Sequence, residues 1–195
     1  MHRSICDFAL DIIQNSIEAS SGLIVVDFIE SDEDVVVYVA DNGPGMSAET
    51  LEKVKDPFFT DGKKHAHRSA GLGLPFLAQA IELSGGSFEI DSREGMGTSV
   101  QFRFSKEDID SPPIGAVDMT FFAALTFPGD HEMVINRTDS TKVPTSSYSL
   151  SRSELSEACG GLETSGALVL LRRFVRSLEE KTGMRSEEAT DSFKN

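Results

Sequence analysis

The chain has 195 residues, 39% of them hydrophobic and 26% charged, which describes a globular protein with room for one full domain and a smaller appendage. Its formal net charge of −14 argues against nucleic acid or an anionic membrane as the main partner, and no run of eighteen apolar residues is present to span a bilayer. Two cysteines, Cys6 and Cys159, give neither a disulfide framework nor metal-ligand spacing, and fit a reducing cytoplasm.

The first element is a helix over residues 4–20. Ile5, Phe8, Ala9, Ile12, Ile13 and Ile17 recur at helical spacing, while Asp7, Asp11 and Asn15 stack four residues apart as a polar stripe. These acidic residues among the apolar ones also rule against a signal peptide. On so apolar a helix the stripe faces either water or a ligand, and stacked carboxylate and amide oxygens suit Mg²⁺ or its waters. Ser21-Gly22 ends the helix, and two strands follow, Leu23–Ile29 and Val35–Ala40, joined by an acidic turn. Val35, Val37, Val39 and Asp41 share one face of the second strand.

Asp41-Asn42-Gly43-Pro44-Gly45-Met46 then places a carboxylate at a strand end beside two glycines. Taken alone such a stretch reads first as a strand-to-helix turn, and otherwise as a backbone platform for a flat ligand whose amino group donates to the carboxylate. A short helix over Ser47–Lys55 is broken by Asp56-Pro57. The polar loop 61–70 has the profile of a lid and carries Lys63, Lys64, His65, His67 and Arg68. Its basic residues suit a small anion in an otherwise acidic domain. The two histidines lack clustered partners and read as lid surface rather than as metal ligands.

Gly71-Leu72-Gly73-Leu74-Pro75 opens a helix reaching Ser84, whose free N–H groups can meet an anion. Strands Ser87–Arg93 and Thr98–Phe104 follow around a Glu94–Gly97 turn, with Thr98 on the buried face. Beyond Asp110-Ser111-Pro112-Pro113 the pattern predicts two strands, Met119–Phe127 and Met133–Asn136, then a polar Ser/Thr tract. A short helix over Ser153–Cys159 and an amphipathic helix from Thr164 to Lys181 complete it. No catalytic constellation is legible in this half, which reads as a packing extension before a docking module.

Asp11-x-x-x-Asn15, Asp41-x-Gly43-x-Gly45, Pro57-Phe58-Phe59-Thr60, Gly71-x-Gly73-Leu74 and Gly97-Thr98 occur in one order at compact spacing. Over residues 4–104 this series resembles the GHKL ATPase superfamily of gyrase, heat-shock chaperone ATPases, histidine kinases and MutL. The stretch after Pro57 is most similar to histidine kinase catalytic domains, and the first helix at least as similar to MutL.

The resemblance implies an α/β fold. This is the Bergerat-type two-layer sandwich, a mixed sheet with helices on one face, here with a small α+β C-terminal extension. It implies an ATP-binding domain over 1–106; the Asp110–Pro113 boundary and the polar end of the chain add the expectation of a linker over 107–115, the extension over 116–183 and a loose tail over 184–195.

Asn15 would ligate Mg²⁺, Asp41 would accept from the adenine amine with Thr98 sharing a water, and Gly43 and Gly45 would shape the purine side. Gly71, Gly73 and Leu74 would meet the phosphates, with Lys63, Lys64 and Arg68 closing over them. Asp11 stands where hydrolysing members usually carry Glu. It is one methylene shorter, which puts its role as general base in doubt. The implied function is a Mg-ATP-binding regulatory kinase acting on a separate protein. The alternatives are a nucleotide-gated interaction module with little turnover and a slow MutL-like ATPase.

Overall fold

A computed structural model describes residues 3–55 and 73–183. Helix α1 (Ile5–Glu18) starts in a capping box. Ser4 Oγ accepts from Asp7 N at 3.1 Å and the Asp7 carboxylate accepts from Ser4 N at 2.8 Å, so two otherwise orphaned N–H groups are satisfied. The next donors, Ile5 N and Cys6 N, bond to Pro113 O and Ile114 O at 2.9 Å each, so the segment after residue 106 closes the start of α1.

The remaining elements in order are β1 (Leu23–Glu30), β2 (Asp34–Asp41), α2 (Ala48–Lys55), α3 (Gly73–Ser84), β3 (Ser87–Arg93), β4 (Gly97–Ser105), α4 (Val117–Thr126), β5 (Glu132–Asp139), β6 (Ser146–Ser151), α5 (Arg152–Cys159) and α6 (Ser165–Gly183). The six strands form one sheet in the order β3-β4-β2-β1-β5-β6. Among the described residues only the β1–β5 pair is parallel, which makes the sheet mixed and the fold α/β.

Alternation assigns one face of every strand to the core. Ile24, Val26 and Phe28 of β1, Val35, Val37 and Val39 of β2, Val100, Phe102 and Phe104 of β4, and Met133 and Ile135 of β5 are all buried. They join the apolar faces of α1, α3, α4 and α6 in one continuous cluster, with Phe8 stacked on Phe104 and Phe28 edge-on to Phe121.

The second half differs from the sequence expectation in two places. Met119–Phe127, expected as a strand, lies within helix α4. The buried residues Val117, Phe121, Ala124 and Leu125 recur at helical rather than alternate spacing, so a helix buries them all at once. The polar Ser/Thr tract, to which the sequence assigns no element, contains strand β6. It is an edge strand whose inward positions are Tyr148 and Leu150. Strand β5 pairs with β1 along its whole length, from Leu23 opposite Glu132 to Glu30 opposite Asp139, so this half extends the first half's sheet.

At the far end of that pairing Arg137 is 2% exposed. It donates to Glu30 Oε2 at 2.6 Å, lies 3.5 Å from Glu179 of α6 and stacks over the Phe28 ring at 5.3 Å. Tyr148 of β6 donates to the same Glu179 carboxylate, and burial together with that carboxylate pushes its hydroxyl pKa above the usual range.

Candidate functional site

Strand β2 delivers Asp41 to the end of the sheet, directly opposite Thr98 of β4. The Asp41 carboxylate is held from three sides. Oδ2 accepts from Ser16 Oγ at 2.8 Å, and Oδ1 accepts from Ser21 Oγ at 3.0 Å and from Gly43 N at 2.8 Å. Two of these donors come from α1 and the turn after it, so the apolar helix is what aims the carboxylate. A Cβ at Gly43 would stand 2.5 Å from Ser21 Oγ and 2.9 Å from Asp41 Oδ1, so glycine leaves room for this arrangement.

Thr98 is fixed in turn. Its hydroxyl hydrogen-bonds Ser92 Oγ at 2.9 Å, and Ser92 Oγ also accepts from Met46 N at 2.9 Å. The glycine loop after Asp41 is thereby tied to the β3–β4 hairpin. The backbones approach so closely there that a Cβ at Gly45 would stand 1.9 Å from Arg93 O, and one at Gly97 1.9 Å from Asp41 O. Both glycines have positive φ, +62° and +95°.

A cavity of about 450 Å³ opens beside this cluster. Asp41 and Thr98 are among its polar lining residues. Ile12, Met46, Val54, Ile90 and Val100 form its apolar walls, Asn15, Ser16 and Glu18 line it from α1, and Leu74 and Pro75 line it from the first turn of α3. An aromatic-sized ligand entering here would meet apolar surface on its faces and a carboxylate acceptor at its edge, the arrangement that selects an amino-bearing heterocycle. A larger, shallower depression of about 740 Å³ lies between Gly22, His131, Arg152 and Gly160, and it lacks such apolar walls.

Of the site residues expected from sequence, the structure brings Asn15, Asp41, Gly45, Leu74 and Thr98 to this cavity. Gly43 stands behind it on Asp41, and Gly73 is the first residue of α3. Lys63, Lys64, Arg68 and Gly71 lie outside the described residues. Asp11 does not line the cavity. Its carboxylate is paired with the Arg3 guanidinium, which also stacks over the Phe76 ring of α3 at 4.8 Å. The side chain of Asp11 packs against Gly73, where an added Cβ would lie 3.0 Å from Asp11 Cβ.

The sequence reading missed Ser16, Ser21 and Ser92. A signal existed for two of them: Ser92 shares the buried parity of Phe88 and Ile90, and Ser16 sits on the apolar face of α1. A buried hydroxyl in either place needs a partner. Among the described residues, no group of three or more His, Cys, Asp or Glu side chains is arranged to hold a metal, so any metal here would take most of its ligands from a bound anion and water.

Comparison with known proteins bears on this constellation. The model of the family described as histidine kinase-, DNA gyrase B-, and HSP90-like ATPase matches residues 4–108. The cell-division control histidine kinase PdhS of Brucella canis is 34% identical over 115 residues, covering 52% of this chain and 11% of that protein. A sensor protein of Shewanella frigidimarina is 32% identical over 99 residues, covering 49% of this chain and 15% of that protein. The chain therefore spans only a small part of the length of these curated relatives.

Among solved structures, a mycobacterial sensor histidine kinase, MprB, aligns over 51% of this chain and 70% of that one at 22% identity and a TM-score of 0.40. The catalytic domain of histidine kinase ThkA aligns over 49% and 62% at 30% identity and a TM-score of 0.39. The family match runs from the capping residue of α1 to just past β4 and so takes in α1, the Asp41 loop and the Gly97-Thr98 turn: the chain belongs to the histidine kinase-, DNA gyrase B- and HSP90-like ATPase family.

Proposed function

We propose that the chain binds Mg-ATP in the cavity beside Asp41 and acts as a regulatory, kinase-like protein on a separate protein partner. The observation that carries this reading is the Asp41 carboxylate, fixed by Ser16, Ser21 and Gly43 N at the head of an apolar cavity of about 450 Å³. A carboxylate so held accepts from the exocyclic amine of adenine and repels the carbonyl that guanine presents at the same position. Thr98, opposite Asp41, would share a water with the base.

Asn15, one helical turn along α1 at the cavity wall, would offer its amide oxygen to Mg²⁺. Phosphate oxygens and water would complete the shell, which suits a cation that dehydrates reluctantly. The backbone N–H groups at the start of α3, at Gly73 and Leu74, would face the phosphates. The metal would spread and neutralise charge on the triphosphate, while the protein supplies orientation.

The pairing of Asp11 with Arg3 favours a second reading, a nucleotide-gated interaction module with little turnover. As it stands the Asp11 carboxylate is engaged by a guanidinium and does not line the cavity, whereas a general base must be free to reach the proton it takes. Incubation with γ-labelled ATP, Mg²⁺ and candidate partner proteins separates the readings. Label on a partner supports transfer, and tight binding with neither labelled partner nor free phosphate supports gating. Asp41→Asn is expected to weaken ATP binding by more than about tenfold, the worth of one charge-assisted hydrogen bond. If isothermal titration shows no ATP or ADP binding by the native chain, both readings fail.

A further inference from the structure

We propose that Ser21 is a positioning residue for the base-selecting carboxylate, and that the second half of the chain holds it in place; this rests on the ATP reading above. A carboxylate offers about four acceptor positions, two on each oxygen. Oδ1 of Asp41 spends both of its positions on Ser21 Oγ and Gly43 N, and Oδ2 spends one on Ser16 Oγ. One acceptor position remains, on Oδ2, and Asp41 lines the cavity. The site therefore offers a ligand a single acceptor from a carboxylate that cannot turn. The carboxyl torsion of Asp is otherwise broad and nearly two-fold. Without Ser21 the group keeps Gly43 N on Oδ1 and Ser16 Oγ on Oδ2 but regains an open acceptor position on Oδ1, so it can present its second oxygen or take a water between itself and the ligand, and a base lacking the amine is then tolerated.

Ser21 is tied to helix α1 by its N–H, which donates to Ser16 O at 3.3 Å, and is held from the other side by the chain that follows it. It is 3% exposed and follows Ser20, which adopts φ +61°, a conformation unusual for a residue with a side chain. After it, Gly22 O accepts from Glu132 N at 2.9 Å and Leu23 N donates to Asn42 Oδ1 at 2.8 Å. Glu132 opens β5, and its carboxylate accepts from Ser151 Oγ at 3.0 Å and from Ser153 N at 3.2 Å, so it is anchored to the start of α5. Arg152 of α5 gathers the approach to β5, donating to Leu125 O at 3.2 Å, His131 O at 2.9 Å and Gly129 O at 3.2 Å. A connected path thus runs from α5 through the first residue of β5 to the turn that carries the Ser21 hydroxyl. The region after residue 106, which carries no recognisable chemistry of its own, contributes to base selection in this way.

The test is the ratio of ATP to ITP affinity, since inosine replaces the adenine amine with a carbonyl. Ser21→Ala is expected to lower that ratio by about tenfold, one hydrogen bond to a charged group, chiefly through tighter ITP binding relative to ATP. Ser21→Cys, which keeps nearly the same volume with a weaker donor, is expected to fall between the native chain and Ser21→Ala and serves if the alanine variant folds poorly. Arg152→Gln is expected to lower the ratio in the same direction, by a smaller factor. An unchanged ratio in folded Ser21→Ala or Ser21→Cys overturns the proposal. A lowered ratio in the Ser21 variants with none in Arg152→Gln overturns the part assigned to the second half. A native chain that binds neither nucleotide overturns the ATP reading itself.

Discussion

Arg3 holds two parts of the domain together through one guanidinium, pairing with Asp11 on α1 and stacking over Phe76 on α3. Both side chains of the ion pair are about one-third exposed, so the pair adds little to stability. Its importance is to the state of Asp11. Arg3→Ala is expected to raise ATP-dependent phosphate release by roughly threefold or more while leaving ATP affinity within about twofold, because it frees the candidate base and touches none of the residues proposed to bind ATP. A phosphate-release assay that finds no change would remove Asp11 from the chemistry.

His131 is a second residue with a measurable signature. It is 7% exposed, and its Nε2 has no hydrogen-bond partner among the described residues. Burial, reinforced by the charge of Arg152, lowers its pKa from the ordinary 6.5. The unfolded chain then binds a proton below that pH which the folded chain refuses, so this contribution to stability is complete above about pH 6.5 and declines as pH falls below it. Urea midpoints measured between pH 7.5 and 5.5 should fall with acidity, and less steeply in His131→Leu.

At the scale of elements, the residues read correctly and incorrectly have physical reasons. Helix α1 and strands β1–β4 were legible because each has one buried face and its period is clean; Val35, Val37 and Val39 alternate, and Ile5, Phe8, Ile12 and Ile13 do not. In sequence, helix α4 resembles a strand because Phe121-Phe122 and Thr126-Phe127 carry β-favouring residues and Pro128-Gly129 looks like a hairpin turn. The helical spacing of Val117, Phe121 and Leu125 decides it once β1 and α1 provide a surface to cover. Strand β6 was illegible for the opposite reason. As an edge strand it needs only Tyr148 and Leu150 facing inward, and serine elsewhere carries no alternation to detect.

The candidate site was legible where backbone demands glycine and where Asp41 ends its strand. It was illegible where a common residue, serine, does the orienting.

The joint between elements is Arg137. Arg137→Met keeps the volume but removes the cation that Glu30, Asp139 and Glu179 share at 15%, 4% and 18% side-chain exposure, leaving Glu30 with Lys106 and Asp139 with Lys142. A loss of about 3 kcal/mol is expected from breaking a buried charge cluster on one side. Arg137→Met combined with Glu179→Gln should recover part of it, which chemical denaturation of the single and double variants checks.

Over the whole molecule, the family match ends at residue 108 while the sheet continues through β5 and β6. A chain cut after residue 115 would lose the neighbour of β1 on one side and the Phe121, Leu125, Leu171 and Val175 side chains that close the core. The expansion or aggregation of that fragment, followed by light scattering and near-ultraviolet circular dichroism, is the expected outcome. A compact, cooperative fragment would instead support 1–106 as a domain that stands alone. Among the described residues no helix is long and apolar enough to cross a membrane.

The parallel pairing of β1 with β5 has a consequence for biosynthesis. Ile24 meets Met133 and Phe28 meets Arg137, so β1 waits for a strand translated after β2, β3, β4 and α4. Such distant pairings close slowly, because the intervening chain must be ordered before the contact is gained. Until then β1 presents an apolar, unpaired edge to the surroundings, the kind of surface that general chaperones cover. Slowing translation across residues 106–131 would lengthen that exposure and lower the soluble yield, with no change in the mature sequence.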